Sequence, residues 1–234
     1  NLQSVDAITR QSYTESIIDG GAMEIIWYGH ACFRLRGRGS AVVTDPFSAE
    51  LGYELPRFTG TVVTISHDHP YHNEARAVRG SPYAITGPGD YEVGGVFVSG
   101  IRTNGQPKDL PASQRNTAYI IEIEGVNICH LGNMLDVLTQ QQAEDLGPID
   151  VLLLPVGGKS TLTPARAAEV VNIIEPGIVI PMMYRVPDLS ADLGTVTRFL
   201  TEMAVEKCEP EELLKVTKSD IPESTVVHTL IPKR

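Results

Sequence analysis

Residues 65–74 read ISHDHPYHNE, and three of the chain's six histidines, His67, His69 and His72, fall there within six positions. They follow an apolar, β-branched run, TVVTIS. Side chains alternate along an extended segment, so His67 and His69 should point the same way. His72, after a turn at Pro70, can reach the same region. Neutral imidazole suits Zn, Cu, Fe and Ni, so the spacing predicts part of a metal site. The plain alternative is a polar loop that happens to be rich in histidine. Other reactive groups are less telling. Asp90 and Glu92, in GPGDYEVGG, could face such a site, but turn chemistry and solvation explain them equally well. PVGG, residues 155–158, lacks the Lys and Ser/Thr of a phosphate-binding P-loop. Neither Cys129 nor Ser66 falls in a recognisable triad pattern.

Positioning these groups is the work of a strand-rich chain. EIIWYG, CFRLRG, SAVVTDPF, TVVTIS, YAITG, VFVSGI, TAYIIEIEG and VNICHLG read as strands, with a hairpin turn at EGVN. VLLLPV and GIVIPMMY are continuous apolar runs, the pattern of strands buried on both faces. TPARAAEVVNIIEP is the clearest helix, with Thr163 as N-cap, Pro164 at N1 and Pro176 closing it. NEARAVRG reads as a short helix with a glycine stop, DLGTVTRFLTEM as another helix, and STVVHTLIP as a last strand. A meander followed by alternation of strands and helices predicts two sheets packed face to face with helices outside.

The chain has 234 residues and a net charge of −10, from 19 basic and 29 acidic groups. That balance argues against nucleic acid or an anionic membrane as the main partner. No run of 18 apolar residues and no leader pattern is seen, and Cys32, Cys129 and Cys208 form no C-x-x-C pair, so a cytoplasmic protein with reduced thiols is expected. Residues 1–22 are polar and end in Gly-Gly-Ala. Met23 looks like a natural start, so 1–22 reads as an added or upstream-translated extension; the alternative is an arm packed on a neighbouring subunit. Residues 23–234 read as one domain.

WYGHACF, VVTDPF, TISHDHPYHN, GPGDYEVGGVFVSGI, CHLGN, DVLLLPVGG and VIPMMY, in that order, resemble the metallo-β-lactamase-fold hydrolases. The likeness is strongest to a group of small bacterial Zn-dependent hydrolases related to ascorbate-6-phosphate lactonases, and it covers about residues 23–232. It implies an α/β fold, a four-layer αββα sandwich of two similar halves, with a metal site at the sheet edges between them. It also implies where ligands should stand. The family's H-x-H-x-D-H matches at His67, His69 and His72, but the aspartate position is Tyr71. HLGD reads HLGN, so the bridging aspartate is Asn133. IPMHY reads IPMMY, so the last histidine is Met183. A histidine expected around residues 100–115 is missing. Three of seven expected ligand positions remain. His30 and Asp45 match family positions near the site: His30 at its floor, Asp45 orienting the histidine loop through hydrogen bonds. His130, three residues before Asn133, lies at a strand end beside them. For His30 and His130 the alternative is a structural histidine, and for Asp45 a turn former before Pro46.

A dinuclear centre is therefore not expected, because Asn133 bridges poorly, Tyr71 is neutral at pH 7 and the Met183 thioether does not suit Zn²⁺. Met182, Met183 and Tyr71 could instead fill the old cavity with apolar volume. A Cu(I) site using His and Met183 is a remote variant. Two function classes remain. One is a non-catalytic homologue acting in binding or assembly. The other is a mononuclear hydrolase of a small ester, lactone or phosphodiester. There His67, His69 and His72 would hold one Zn²⁺ or other divalent metal, with Asn133 or Tyr71 as the candidate catalytic groups that donate to an oxyanion. The substrate would be a small molecule. Dimers and larger rings occur in the group, so a homo-oligomer is among the expected states.

Overall fold

The computed structural model describes residues 21–103, 111 and 115–234. The 1–22 extension therefore lies outside the described residues, except for Gly21 and Ala22. Thirteen strands are described: β1 (Met23–Gly29), β2 (Cys32–Arg36), β3 (Ala41–Thr44), β4 (Val62–Thr64), β5 (Tyr83–Ile85), β6 (Gly89–Val93), β7 (Val96–Arg102), β8 (Thr117–Ile123), β9 (Val126–His130), β10 (Val151–Pro155), β11 (Ile178–Met182), β12 (Leu214–Val216) and β13 (Val226–Val227). They form two sheets, a six-stranded one in the order β12-β1-β2-β3-β4-β5 and a seven-stranded one in the order β13-β11-β10-β9-β8-β7-β6. Each sheet is an antiparallel meander that turns parallel: β3, β4 and β5 run parallel in the first, and β9, β10, β11 and β13 in the second.

Alternation explains the layering. Along β1, Met23, Ile25 and Trp27 point into the core shared with the second sheet, and Ile26 and Tyr28 point the other way. Val42 and Val62 likewise face inward, while Val43 and Val63 face outward. Both faces are buried, so these strands carry unbroken apolar runs. The outer face of the first sheet is covered by Phe47, Leu51, Tyr53 and Phe58 from the 46–60 loop rather than by an α-helix. The second sheet is backed by helices α1 (Gln140–Leu146), α2 (Pro164–Ile174) and α3 (Val196–Glu202). Helix α2 starts and stops where expected: the Thr163 side chain accepts from Arg166 N, Pro164 sits at N1, and the left-handed Glu175 ends it.

Three local expectations need correction. NEARAVRG yields only a 3-10 turn, Ala75–Ala77. A helix nucleus that short gains too few bonds to propagate, and Val78 leaves it extended to bury its side chain. Asp90 and Glu92 lie not in a turn but on the exposed edge strand β6, where Ser99 Oγ donates to Asp90 Oδ1 at 2.6 Å. The turn is one step later, at Gly94 and Gly95, both at positive φ (60° and 76°). The last strand is just two residues long. Among the described residues no helix is long and apolar enough to cross a membrane.

Candidate metal centre

Parallel strands deliver their carboxyl ends to one edge, where α/β sheets build their sites. Here β3 ends into Asp45, β4 into Ser66 and His67, β9 into Asn133, β10 into Lys159 and β11 into Met183. His30 joins them from the β1–β2 turn. Four of these residues are non-glycines held in the left-handed region: His30 (φ 51°), Asp45 (φ 37°), Lys159 (φ 59°) and Met183 (φ 53°). Such backbone persists only where its surroundings fix it. The Met183 N–H donates to the His30 carbonyl at 3.1 Å, as does Trp27 Nε1 at the same distance. Asp45 N–H donates to Thr64 O at 2.9 Å.

Asp45 is the hub. It is fully buried, and its carboxylate receives Ser66 N–H at 2.7 Å and Ser66 Oγ–H at 2.5 Å. His72 Nδ1 lies 2.8 Å from Oδ2. The ligand atoms of Asp45, His67 and His72 all fall within 4.8 Å of one another, a spacing that could hold one metal ion. His69 is not part of that trio. The 66–72 segment is not extended, as simple alternation requires; it bends, with His69 N donating to His67 O and His72 N to His69 O. The His67 and His69 rings nevertheless lie nearly parallel, with centroids 5.9 Å apart. His69 Nδ1 accepts the Tyr71 N–H at 3.2 Å, which engages that lone pair.

The second contact of His72 is with His30: their Nε2 atoms are 3.1 Å apart. With His72 Nδ1–H given to Asp45, the bare His72 Nε2 accepts from His30. His130 is wholly buried, and its Nε2–H donates to Ala31 O at 2.9 Å, which leaves Nδ1 without a hydrogen-bond partner. It lies behind the site rather than in it. A cleft of about 550 Å³ opens over His30, His67, His69 and His72, with Tyr71, Asn133 and Met183 on its walls. Lys159 and Asp192, which pair with each other, complete the far side. Sequence reasoning gave no role to three groups here. The Ser66 hydroxyl donates to Asp45 at 2.5 Å and lies 3.2 Å from His67 Nδ1, which ties the carboxylate to the histidine loop. Asn116 is buried and holds the Asn133 N–H at 2.8 Å and Leu131 O at 2.8 Å. Lys159 reaches the cleft from a loop. Only the adjacency of Ser66 to His67 was a usable signal.

Burial sets the protonation states. Desolvation, then the neighbouring His72, lowers His67 to about 3, and desolvation first also holds His30 and His72 well below the usual imidazole range. At neutral pH all three are uncharged, the protonation state that metal ligation requires. Burial pushes the Asp45 carboxyl up, against the pull of His130 and the Ser66 donors. Burial also pushes the Cys32 and Cys129 thiols up, which makes them inert. A pH dependence follows from the histidines. Below about pH 6.5 the unfolded chain takes up protons that the folded chain refuses, so stability should be full above that pH and fall as acid is added. Each histidine contributes up to ~1.4 kcal/mol per pH unit, for His67 down to about pH 3. Urea midpoints of the metal-free protein should fall from pH 7.5 to 5.5, and a His67→Gln variant should show a shallower fall. A flat profile would contradict the buried neutral cluster.

Known proteins resemble this chain in sequence and fold. A family model described as the beta-lactamase superfamily domain matches residues 24–183. A UPF0173 protein of Pyrococcus furiosus is 31% identical over 178 residues, covering 69% of this chain and 83% of that protein. A UPF0173 metal-dependent hydrolase of Methanoculleus marisnigri is 28% identical over 221 residues, covering 83% and 97%. In three dimensions the chain resembles a candidate Zn-dependent hydrolase of the metallo-β-lactamase superfamily from Thermotoga maritima, with a TM-score of 0.75 and 36% identity over 89% of this chain and 100% of that one. The paired sheets, the cleft at their carboxyl edges and these matches establish that the chain belongs to the metallo-β-lactamase superfamily, among its UPF0173 metal-dependent hydrolase relatives.

Proposed function

We propose that this chain is a ligand-binding member of its superfamily that no longer performs two-metal hydrolysis. The observation that carries this reading is the company of His72. Asp45 occupies its Nδ1 and His30 its Nε2, so both ring nitrogens are satisfied by the protein. The donor set does not fit a second cation. Positions 71, 133 and 183 line the cleft as a phenol, an amide and a thioether, none of which balances the charge of a Zn²⁺ pair. The buried carboxylate that remains, Asp45, is already held by Ser66 and His72.

The compact Asp45–His67–His72 trio favours a second reading, a single-metal hydrolase. Its donors would fit one divalent ion once His30 gives up His72 Nε2, and that ion would supply a water activated near neutral pH. In that case Tyr71 and Asn133, on the same cleft wall, are the donors available to an oxyanion.

Elemental mass spectrometry of untagged protein, purified without chelators, separates the two. We expect far less than one equivalent of metal in both wild type and a His67→Ala/His72→Ala variant, and no rise in melting temperature with added zinc. About one equivalent in wild type and none in the variant would overturn the first reading and establish the second.

A further inference from the structure

A second cleft, of about 460 Å³, lies on the other side of His67 and belongs to no part of the metal trio apart from that ring. Ser66, Asn73 and Thr86 line it, together with two cations, Arg102 and Arg115. Arg102 closes β7, paired with Thr117 of β8, and Arg115 sits two residues before that Thr117, so the hairpin brings both residues to the lining of the cleft. The Arg102 Nε–H is buried and has no hydrogen-bond partner. A buried charged donor left unmatched is costly, and an anion set against this guanidinium from the cleft would offset part of that cost. The one carboxylate on the lining, Asp68, is tied to Asn73 Nδ2 at 2.7 Å. All this occurs on a chain whose net charge is −10, so the positive site is local and not part of a general basic surface.

We infer that this cleft is an oxyanion subsite, in which the Arg102 guanidinium grips the carboxylate or phosphate of a small organic ligand. The planar fork of arginine suits such groups, because two parallel N–H donors match two oxygens. His67 is shared by both clefts and is 8% exposed, so an anion held at Arg102 directs the rest of its molecule across that imidazole into the larger cleft. The ligand class is thus a small carboxylate or phosphate with a further polar or apolar portion. The inference deepens the ligand-binding reading above and rests on it.

The test is isothermal titration of metal-stripped, full-length protein with inorganic phosphate and, separately, with succinate, at constant ionic strength in chloride. Wild type should bind one of the two at one equivalent, and which one distinguishes phosphate from carboxylate ligands. Arg102→Gln should weaken that binding on the order of ten- to a hundredfold. Arg102→Lys, which keeps the charge and loses the fork, should fall between. Arg36→Gln, which removes a cation paired with Glu24 on the strand surface, should leave binding unchanged. Equal affinity in wild type and Arg102→Gln, or no binding of either anion to wild type, overturns the proposal. If binding appears only with added zinc and survives Arg102→Gln, the anion is a metal ligand, and both this proposal and the ligand-binding reading fall. If the protein as purified carries a full metal equivalent, yet the stripped protein still binds the anion through Arg102, only the ligand-binding reading falls.

Discussion

Asp45→Ala should destabilise the protein by about 3–5 kcal/mol, a drop in melting temperature of roughly 10 °C for a chain of this size. The substitution removes the carboxylate that accepts Ser66 N–H, Ser66 Oγ–H and His72 Nδ1–H, in a place with no exposure to solvent, and leaves Ser66 Oγ only its 3.2 Å contact with His67 Nδ1. Ser66 N–H and His72 Nδ1–H then lose their partner at once, and a cavity forms between β3 and β4. Asp45→Asn should be milder and more informative. The amide oxygen still accepts Ser66 N–H, but the amide nitrogen offers hydrogens to His72. His72 must then carry its own proton on Nε2, facing His30, and the 3.1 Å contact reverses direction. Thermal melts read the first effect, and nitrogen chemical shifts of the histidine rings read the second. If Asp45→Ala melts within about 1 kcal/mol of wild type, Asp45 is not the hub described here.

Gly132→Ala should be comparably severe, at about 3 kcal/mol or more. Gly132 lies at φ +60°, already unfavourable for a side chain, and an added Cβ would come within 2.4 Å of both Ser66 Cβ and Asn116 Oδ1. Neither neighbour has room to yield, because Ser66 is bound to Asp45 and Asn116 to Leu131 and Asn133. The clash therefore reaches the histidines through Ser66. Gly125→Ala is the control. It has a similar φ of +74° in the β8–β9 turn but nothing within 4 Å, so it should cost only about 1–2 kcal/mol. Urea midpoints compare the two, and equal losses would show that close approach plays no part at position 132.

These residues also show what was legible in the sequence. TVVTIS, VLLLPV and GIVIPMMY announced themselves because strands buried on both faces need unbroken apolar runs. GDYEV did not, because β6 is a short edge strand whose apolar face is only Tyr91 and Val93, half-buried against the core and set between exposed carboxylates. Helix α1 was missed for a similar reason: it is seven residues long and buries only Leu146. In the site, the spacing of the three histidines was visible, and so were the hydrogen bonds of Asp45 to the histidine loop once the family resemblance was in hand. The pairing of His30 with His72, 42 residues apart, was not, because no local spacing encodes a contact made by two strand ends. The roles of Asn116 and Arg102 are hidden in the same way; each is an ordinary polar residue at a strand end until the sheets are folded.

The main chain at Met183 is held by groups that never touch its thioether. Its N–H goes to the His30 carbonyl, and its own carbonyl packs against Gly157, where a Cβ would come within 2.0 Å of the oxygen. Its left-handed turn is thus imposed from both sides whatever side chain it bears. Position 183 is a fixed socket with an exchangeable plug. A change of side chain at 183 therefore alters what the cleft offers a ligand and leaves the main chain around it where it is.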